Sequence, residues 1–379
     1  MKTLNAREIL RYGRHFSLPE VGLAGQEKLK RASVLLIGAG GLGSPLALYL
    51  TAAGVGRIGL VDFDVVDETN LQRQILHDSA MVGVSKLKSA EQRLRGLNPF
   101  VELELHEVHL AADNALALFK DYDVIADGSD NFPTRYLVND VAFLAGRPLV
   151  YGAISGFAGQ VSVFNYQGGP CYRCLFPEMP PAGSVRSCAE AGVLGVLPGV
   201  IGALQAVEVI KILLDIGKPA SGRLFLYDAL NLSFDTLEIG KAPQCALCGG
   251  NPTIHRPTDY EYHCETDARQ GKDIEEIGVE ACHESFSSMV LIDTREPFER
   301  EICYIEGSIH LPTDRIVREL SANPRLLDKK DRIVVYCKYG VGSLDAAGIL
   351  LDMGFENVRS LKGGMLEWIE RIDPMKTRY

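Results

Sequence analysis

Ala32-Ser-Val-Leu-Leu-Ile-Gly38-Ala-Gly40-Gly41-Leu-Gly43 decides the fold. An unbroken apolar run ending in glycines reads as a strand buried on both faces that turns tightly into a helix. Gly41 to Ala53 supplies the helix and Arg57 to Asp62 a second strand, which completes a βαβ unit. Further strands read at Val101 to His106, Asp123 to Asp127 and Leu149 to Ala153. Gly159 to Phe164 alternates like an antiparallel strand. Residues 6 to 30 are polar with a helical period. The fold class is therefore α/β, with an open mixed sheet.

Gly38, Gly40, Gly41 and Gly43 fit a Gly-x-Gly-x-x-Gly loop, and Asp62 ends the next strand, 19 residues after Gly43. Backbone N–H groups at the helix start can approach phosphates, and the acid can hold ribose hydroxyls. Alone, this Rossmann-like pattern signals only a nucleotide, with NAD the default. The residues beyond Asp62 are unlike those of a dehydrogenase: Asn70-Leu-Gln-Arg73-Gln, then Lys86, then Asp127-Gly-Ser-Asp130 after a strand end. Arg73 and Lys86 can neutralise a triphosphate, and Asp130 can hold Mg2+ through water.

Two CxxC pairs, Cys171/Cys174 and Cys245/Cys248, have the spacing of a closed four-cysteine zinc site. The chain has 379 residues, 9 Cys and a formal net charge of -10. The length suggests two domains, and the negative charge argues against nucleic acid or an anionic membrane surface as partner. An odd cysteine count with four in CxxC pairs is not a secreted disulfide framework, and the N-terminus has no apolar signal segment. The long apolar run from Ala191 to Leu214 is interrupted by Pro198, Gln205, Glu208 and Lys211, so it reads as a buried loop and helix rather than a membrane span. The expectation is a cytoplasmic, reducing setting.

The pattern breaks after the second CxxC. We expect a first domain over 1–250, a linker over 251–275 and a second domain over 276–379. In the second, Met289 to Asp293 and Arg332 to Cys337 read as strands and Ser343 to Met353 as a helix. Cys337 sits at a strand end in a Gly/Ser loop, where backbone N–H groups can surround its sulfur. Cys188 comes after a Pro/Gly-rich stretch with Arg186 nearby, and stands between a covalent role and a passive thiol. Cys264, Cys282 and Cys303 carry no motif and read as buried or incidental thiols.

Together, Gly38 to Gly43, Asp62, Asn70-Leu-Gln-Arg73-Gln, Lys86 and Asp130 resemble the adenylation domain of the ThiF/MoeB family, bacterial relatives of ubiquitin-activating enzymes. The resemblance includes Arg11-Tyr-Gly-Arg14-His-Phe. It implies that Arg14 enters a neighbouring subunit's ATP site, hence a homodimer, and that the CxxC pairs hold a structural zinc. Ile292-Asp-Thr-Arg295-Glu-Pro297, Val335-Tyr-Cys337-Lys-Tyr-Gly340-Val-Gly342-Ser343 and Leu361-Lys-Gly363-Gly364 resemble rhodanese sulfurtransferases. Where many bacterial rhodaneses carry Arg just before the loop's final Ser, this loop has Gly342.

The resemblance implies ATP-dependent adenylation of the Gly-Gly C-terminus of a ubiquitin-like sulfur carrier, then sulfur transfer from a persulfide on Cys337. Cys188 would act as a second thiol, and a cysteine desulfurase or thiosulfate would donate sulfur. The carboxylate needs no general base, since it is already ionised at neutral pH. Three other readings stand beside it: an NAD oxidoreductase, an activator forming a carrier thioester at Cys188 for conjugation with a degenerate second domain, and a scaffold.

Overall fold

The computed structural model describes residues 3–181, 192–260 and 274–379; Arg186, Cys188 and Cys264 lie outside them. The chain divides into two units, Met1–Glu265 and Thr266–Tyr379.

In the first unit, helices α1 (Ala6–Phe16) and α2 (Gly22–Arg31) precede the diagnostic run. That run forms β1 (Ser33–Ile37), buried at every residue, then turns into α3 (Gly43–Ala53). Next come β2 (Arg57–Val61), α4 (Lys86–Leu97), β3 (Glu102–His106), α5 (Ala115–Lys120), β4 (Val124–Asp127) and α6 (Phe132–Leu144). Strands β5 (Leu149–Ser155) and β6 (Ala158–Phe164) succeed them. After these stand the short α7 (Tyr172–Leu175), α8 (Leu197–Leu214), β7 (Arg223–Asp228) and β8 (Ser233–Glu238).

The sheet runs β3-β2-β1-β4-β5-β6-β7-β8. It is parallel from β3 to β5 and antiparallel from β5 to β8. Alternation along β1 serves two cores. Val34 and Leu36 join Leu46 and Leu50 of α3 and Val209 and Leu213 of α8 on one face. Leu35 and Ile37 join Phe119 of α5 and Leu137 and Val141 of α6 on the other. The chain steps outward from β1 to β3 and then returns to β4. The carboxyl ends of β1 and β4 thus flank a topological switch point, where open α/β sheets bind ligands.

The polar stretch at 6–30 is two helices rather than one continuous period, separated around Pro19. Helix α3 starts at Gly43, so Gly41 and Leu42 belong to the turn. Among the described residues, α8 has the length and apolarity of a membrane span, yet it packs on α3 and the sheet with Gln205 and Glu208 buried. Its Glu208 accepts the Ala220 N–H at 2.8 Å and pairs with Lys211 at 2.7 Å. Strands β7 and β8 are additions that the sequence reading did not contain.

In the second unit β9 (Glu276–Ile277), α9 (Val279–Glu284), β10 (Val290–Asp293), α10 (Pro297–Ile302), β11 (Ile309–His310) and α11 (Ile316–Ala322) lead to β12 (Arg332–Tyr336). Helix α12 (Gly342–Asp352), β13 (Asn357–Leu361) and α13 (Gly364–Arg371) complete it. Its sheet, in the order β11-β10-β12-β13-β9, is parallel throughout.

Candidate functional site

The switch point opens into a cleft whose wall includes Gly38, Gly40, Gly41, Asp62, Asn70, Arg73, Lys86 and Asp130. Gly38 adopts φ +88°, and a Cβ on Gly43 would stand 1.9 Å from the Gly38 carbonyl, so both positions require glycine. Asp62 stitches the turn to β2: its Oδ2 accepts the Ala39 N–H at 2.8 Å and its Oδ1 the Asp64 N–H at 2.9 Å. Each oxygen keeps a second lone-pair direction for a hydroxyl. Below, buried His77 joins Ala39 O through Nε2 and Ser89 Oγ through Nδ1, both at 2.9 Å. Burial holds its pKa below the ordinary histidine value, the Ala39 hydrogen bond opposing this in part.

The cations are not bare. Lys86, buried at the first position of α4, lies 2.7 Å from Asp64 Oδ2 and 3.9 Å from Asp62 Oδ1. Arg73 runs beside the glycine loop and bonds Thr69 O at 3.2 Å. Gln74, the end of the Asn70-Leu-Gln-Arg73-Gln stretch, also lines the cleft, as do two residues that the sequence reading missed, Asp64 and Arg135. Arg135 lies four residues after Asn131 on the first turn of α6, a helical spacing that could have flagged it; it bonds Ser129 O at 3.2 Å. Among the charged side chains of the wall, Arg73, Lys86 and Arg135 face Asp62, Asp64 and Asp130, three against three. Phe63 and His109 form a tilted ring pair, centroids 4.8 Å apart, on the same wall. Arg14 is exposed on the last turn of α1 and is not part of its own chain's cleft.

The four CxxC cysteines converge, all Sγ atoms within 4.8 Å of one another. Cys171 lies 3.9 Å from Cys174 and 3.5 Å from Cys245, and Cys174 lies 3.3 Å from Cys248. A tetrahedral Zn–S4 centre needs about 3.8 Å between sulfurs, so the donor set fits the ion. Burial drives Cys248 up to about 11 and pushes Cys171 up as well, while Cys245, against its burial, is lowered with the help of hydrogen bonds from the Cys248 and Leu247 backbone. Between the first pair, Arg173 forms a two-pronged, buried ion pair with Asp140 at 2.8 and 2.9 Å. Tyr260 also donates to Asp140.

In the second unit Cys337 comes directly after β12. Its Sγ accepts from Gly340 N–H at 3.2 Å and Ser343 Oγ at 3.4 Å, at the start of α12. Ser360 Oγ in turn bonds Ser343 Oγ at 2.9 Å. The Met365 N–H bonds Cys337 O at 2.9 Å, so the Gly363-Gly364 motif closes on the cysteine loop. Asp293, which pairs across the sheet with Tyr336 just before Cys337, forms a buried ion pair with Arg295 at 2.6 Å. A Cβ on Gly342 would stand 3.8 Å from the Cys337 sulfur, so the missing side chain is one that would face the thiol. Cys282 and Cys303 are buried; burial raises Cys282 to about 11.

The ThiF family model matches residues 12–247 and the rhodanese-like domain model residues 280–371. The chain belongs to the ThiF family. A rhodanese-like domain stands after the ThiF portion in the same chain. Two relatives match nearly the whole of this chain. The "Probable adenylyltransferase/sulfurtransferase MoeZ" of Mycobacterium tuberculosis is 44% identical, covering 99% of this chain and 96% of that protein. The "Adenylyltransferase and sulfurtransferase MOCS3" of Sus scrofa is 43% identical over 99% and 89%. A "Sulfur carrier protein adenylyltransferase" of Thermus thermophilus is 55% identical, covering 68% of this chain and 97% of its own. The E. coli MccB crystal structure aligns with a TM-score of 0.56 at 21% identity, over 67% of this chain and 75% of that one, a likeness of fold. This ThiF-family chain is an enzyme of the adenylyltransferase-sulfurtransferase class.

Proposed function

We propose that this enzyme adenylates the C-terminal Gly-Gly carboxylate of a ubiquitin-like sulfur-carrier protein and then replaces AMP with sulfur to give a thiocarboxylate. The observation that carries the reading is the joining of two sites in one chain. One is a glycine-loop cleft holding Asp62, Asn70, Arg73, Lys86 and Asp130. The other is a thiol surrounded by donors at a helix start.

In the first step a carboxylate oxygen attacks the α-phosphorus of ATP and pyrophosphate leaves. The chain's contribution is alignment and charge: the glycine loop approaches the phosphates, Asp62 the ribose hydroxyls, and Arg73 and Lys86 the departing pyrophosphate. The wall's charges already balance, so a triphosphate needs positive charge from outside. That supports Mg2+ held through Asp130, which would supply the missing charge, and a homodimer in which Arg14 of one copy serves the cleft of the other.

In the second step the terminal sulfur of a Cys337 persulfide attacks the acyl carbon, and AMP departs with its electron pair. A second thiol, Cys188, then attacks the Cys337 sulfur and frees the thiocarboxylate; external thiol reduces the disulfide left behind. Zinc at the four cysteines is structural in this scheme. A cytoplasmic setting suits the seven unpaired cysteines among the described residues. A cysteine desulfurase or thiosulfate would load Cys337.

ATP–pyrophosphate exchange, run with candidate carriers ending in Gly-Gly, tests the first step. Cys337→Ala should exchange normally yet form no thiocarboxylate. Thiocarboxylate at the wild-type rate in that variant overturns the sulfur route, and absence of exchange with every carrier overturns the adenylation reading.

A further inference from the structure

Helix α8 contains one polar side chain that its packing does not call for. Gln205 is fully buried amid apolar neighbours, and its Oε1 has no hydrogen-bond partner among the described residues. Such an acceptor is destabilising, and an apolar residue of equal volume would avoid it. What the amide does make is specific. Its Nε2 donates to Asp127 O at 2.8 Å and also reaches Val150 O at 3.4 Å. Gly152 admits it, since a Cβ there would stand 2.4 Å from Gln205 Cδ.

Asp127 is the last residue of β4, and the chain runs on from it to Asp130 in the cleft. The stretch between them is held at every residue. Gly128 N–H bonds Ile37 O at 2.8 Å, and Ser129 N–H bonds the Asp127 side chain at 2.8 Å. Ser129 O receives Arg135 at 3.2 Å. Gln205 fixes the point from which this stretch starts.

We propose that Gln205 is a positioning residue for adenylation: by holding the Asp127 carbonyl it sets where Asp130 stands in the cleft, and Gly152 serves the same end by leaving space for the amide. The inference rests on the reading of Asp130 as the Mg2+-side carboxylate.

The test needs no carrier. ATP is titrated by calorimetry into the full chain at stepped Mg2+ concentrations, for wild type, Gln205→Met, Gly152→Ala and Asp130→Ala. In Gln205→Met and Gly152→Ala the Mg2+ concentration giving half the gain in ATP affinity should rise about five- to tenfold, the worth of one buried hydrogen bond. Their Mg2+-free ATP affinity should match wild type, and the rise in Mg2+ demand should not scale with any fall in melting temperature, which should be larger in Gly152→Ala, where the added methyl meets the Gln205 amide. A fold-only role would not separate those readouts. An unchanged Mg2+ demand in both variants, beside an Asp130→Ala protein that has lost its Mg2+ response, overturns the inference and leaves Asp130 in place. A normal Mg2+ response in Asp130→Ala overturns the reading of Asp130 and the inference with it. Loss of ATP binding that merely tracks a lowered melting temperature in both variants assigns Gln205 to the fold and also overturns the inference.

Discussion

Replacing Lys86 by alanine probes the charge balance of the cleft most directly. The ammonium lies 2.7 Å from Asp64 and 3.9 Å from Asp62. At an effective dielectric near 20 the shorter contact is worth roughly 6 kcal/mol of gross attraction. The Asp64 side chain is 52% exposed, so hydration cancels most of this, and about 1 kcal/mol net remains. The larger loss is functional. Without Lys86 the wall holds two cations against three carboxylates, an adverse field for a polyanion. We expect pyrophosphate exchange to fall by about 10²–10³-fold, chiefly in kcat/KM for ATP. Lys86→Ala/Asp64→Asn removes the carboxylate that the first change leaves unbalanced, and should regain about fivefold of the loss. Exchange within about threefold of wild type in Lys86→Ala would refute the charge argument. A double variant no faster than the single would refute the part assigned to Asp64.

Arg173→Met leaves the carboxylate of Asp140, 0% exposed, without its cation. Urea unfolding should show a loss of about 3–5 kcal/mol, with weaker metal retention because Arg173 stands between two ligands; an unchanged midpoint counts against it. Gly342→Arg places a guanidinium on the side facing the Cys337 sulfur, and thiosulfate:cyanide turnover should rise by about 10-fold or more. No gain would mean that the loop excludes small anionic donors for another reason. Burial depresses the pKa of both His77 and His106 in the folded protein. Below the unfolded value of about 6.5 the unfolded chain therefore binds more protons, so stability is complete above it and falls on acidification. Melting temperatures between about pH 7.5 and 5.5 should drop, less steeply in His77→Gln; a rise on acidification contradicts the assignment.

The strand-loop-helix core was legible because a parallel strand buried on both faces leaves an unbroken apolar run, and Ser33–Ile37 has one. The edge strand β8 was not. Its Ser233–Glu238 stretch is exposed along almost its whole length, so side chains carry no alternation, and only backbone pairing with β7 defines it. At the site, residue types and spacing revealed Arg73, Lys86 and Asp130. The partner that tempers Lys86, Asp64, lies 22 positions away and is visible only once β2 and α4 are packed. Gln205 read as an interruption of an apolar run, because sequence shows polarity but not which carbonyl it meets. The four-cysteine cluster was legible for the opposite reason: each CxxC pair is a short local spacing that survives any surrounding fold, and the four sulfurs converge.

A metal held by the four thiols would also change the topology of the polypeptide. Cys171 and Cys245 are 74 positions apart, so a metal gripping both pairs would make the intervening chain a ring fastened at one clasp. By the chain-entropy argument used for disulfides, such a clasp withdraws roughly 4 kcal/mol of freedom from the unfolded ring. Helix α8 and strands β7 and β8 lie within it. A protease that cuts the backbone once, anywhere between Cys174 and Cys245, would therefore not release two separate pieces. The halves would stay buckled through sulfur–metal bonds, parting only when a chelator and a denaturant act together.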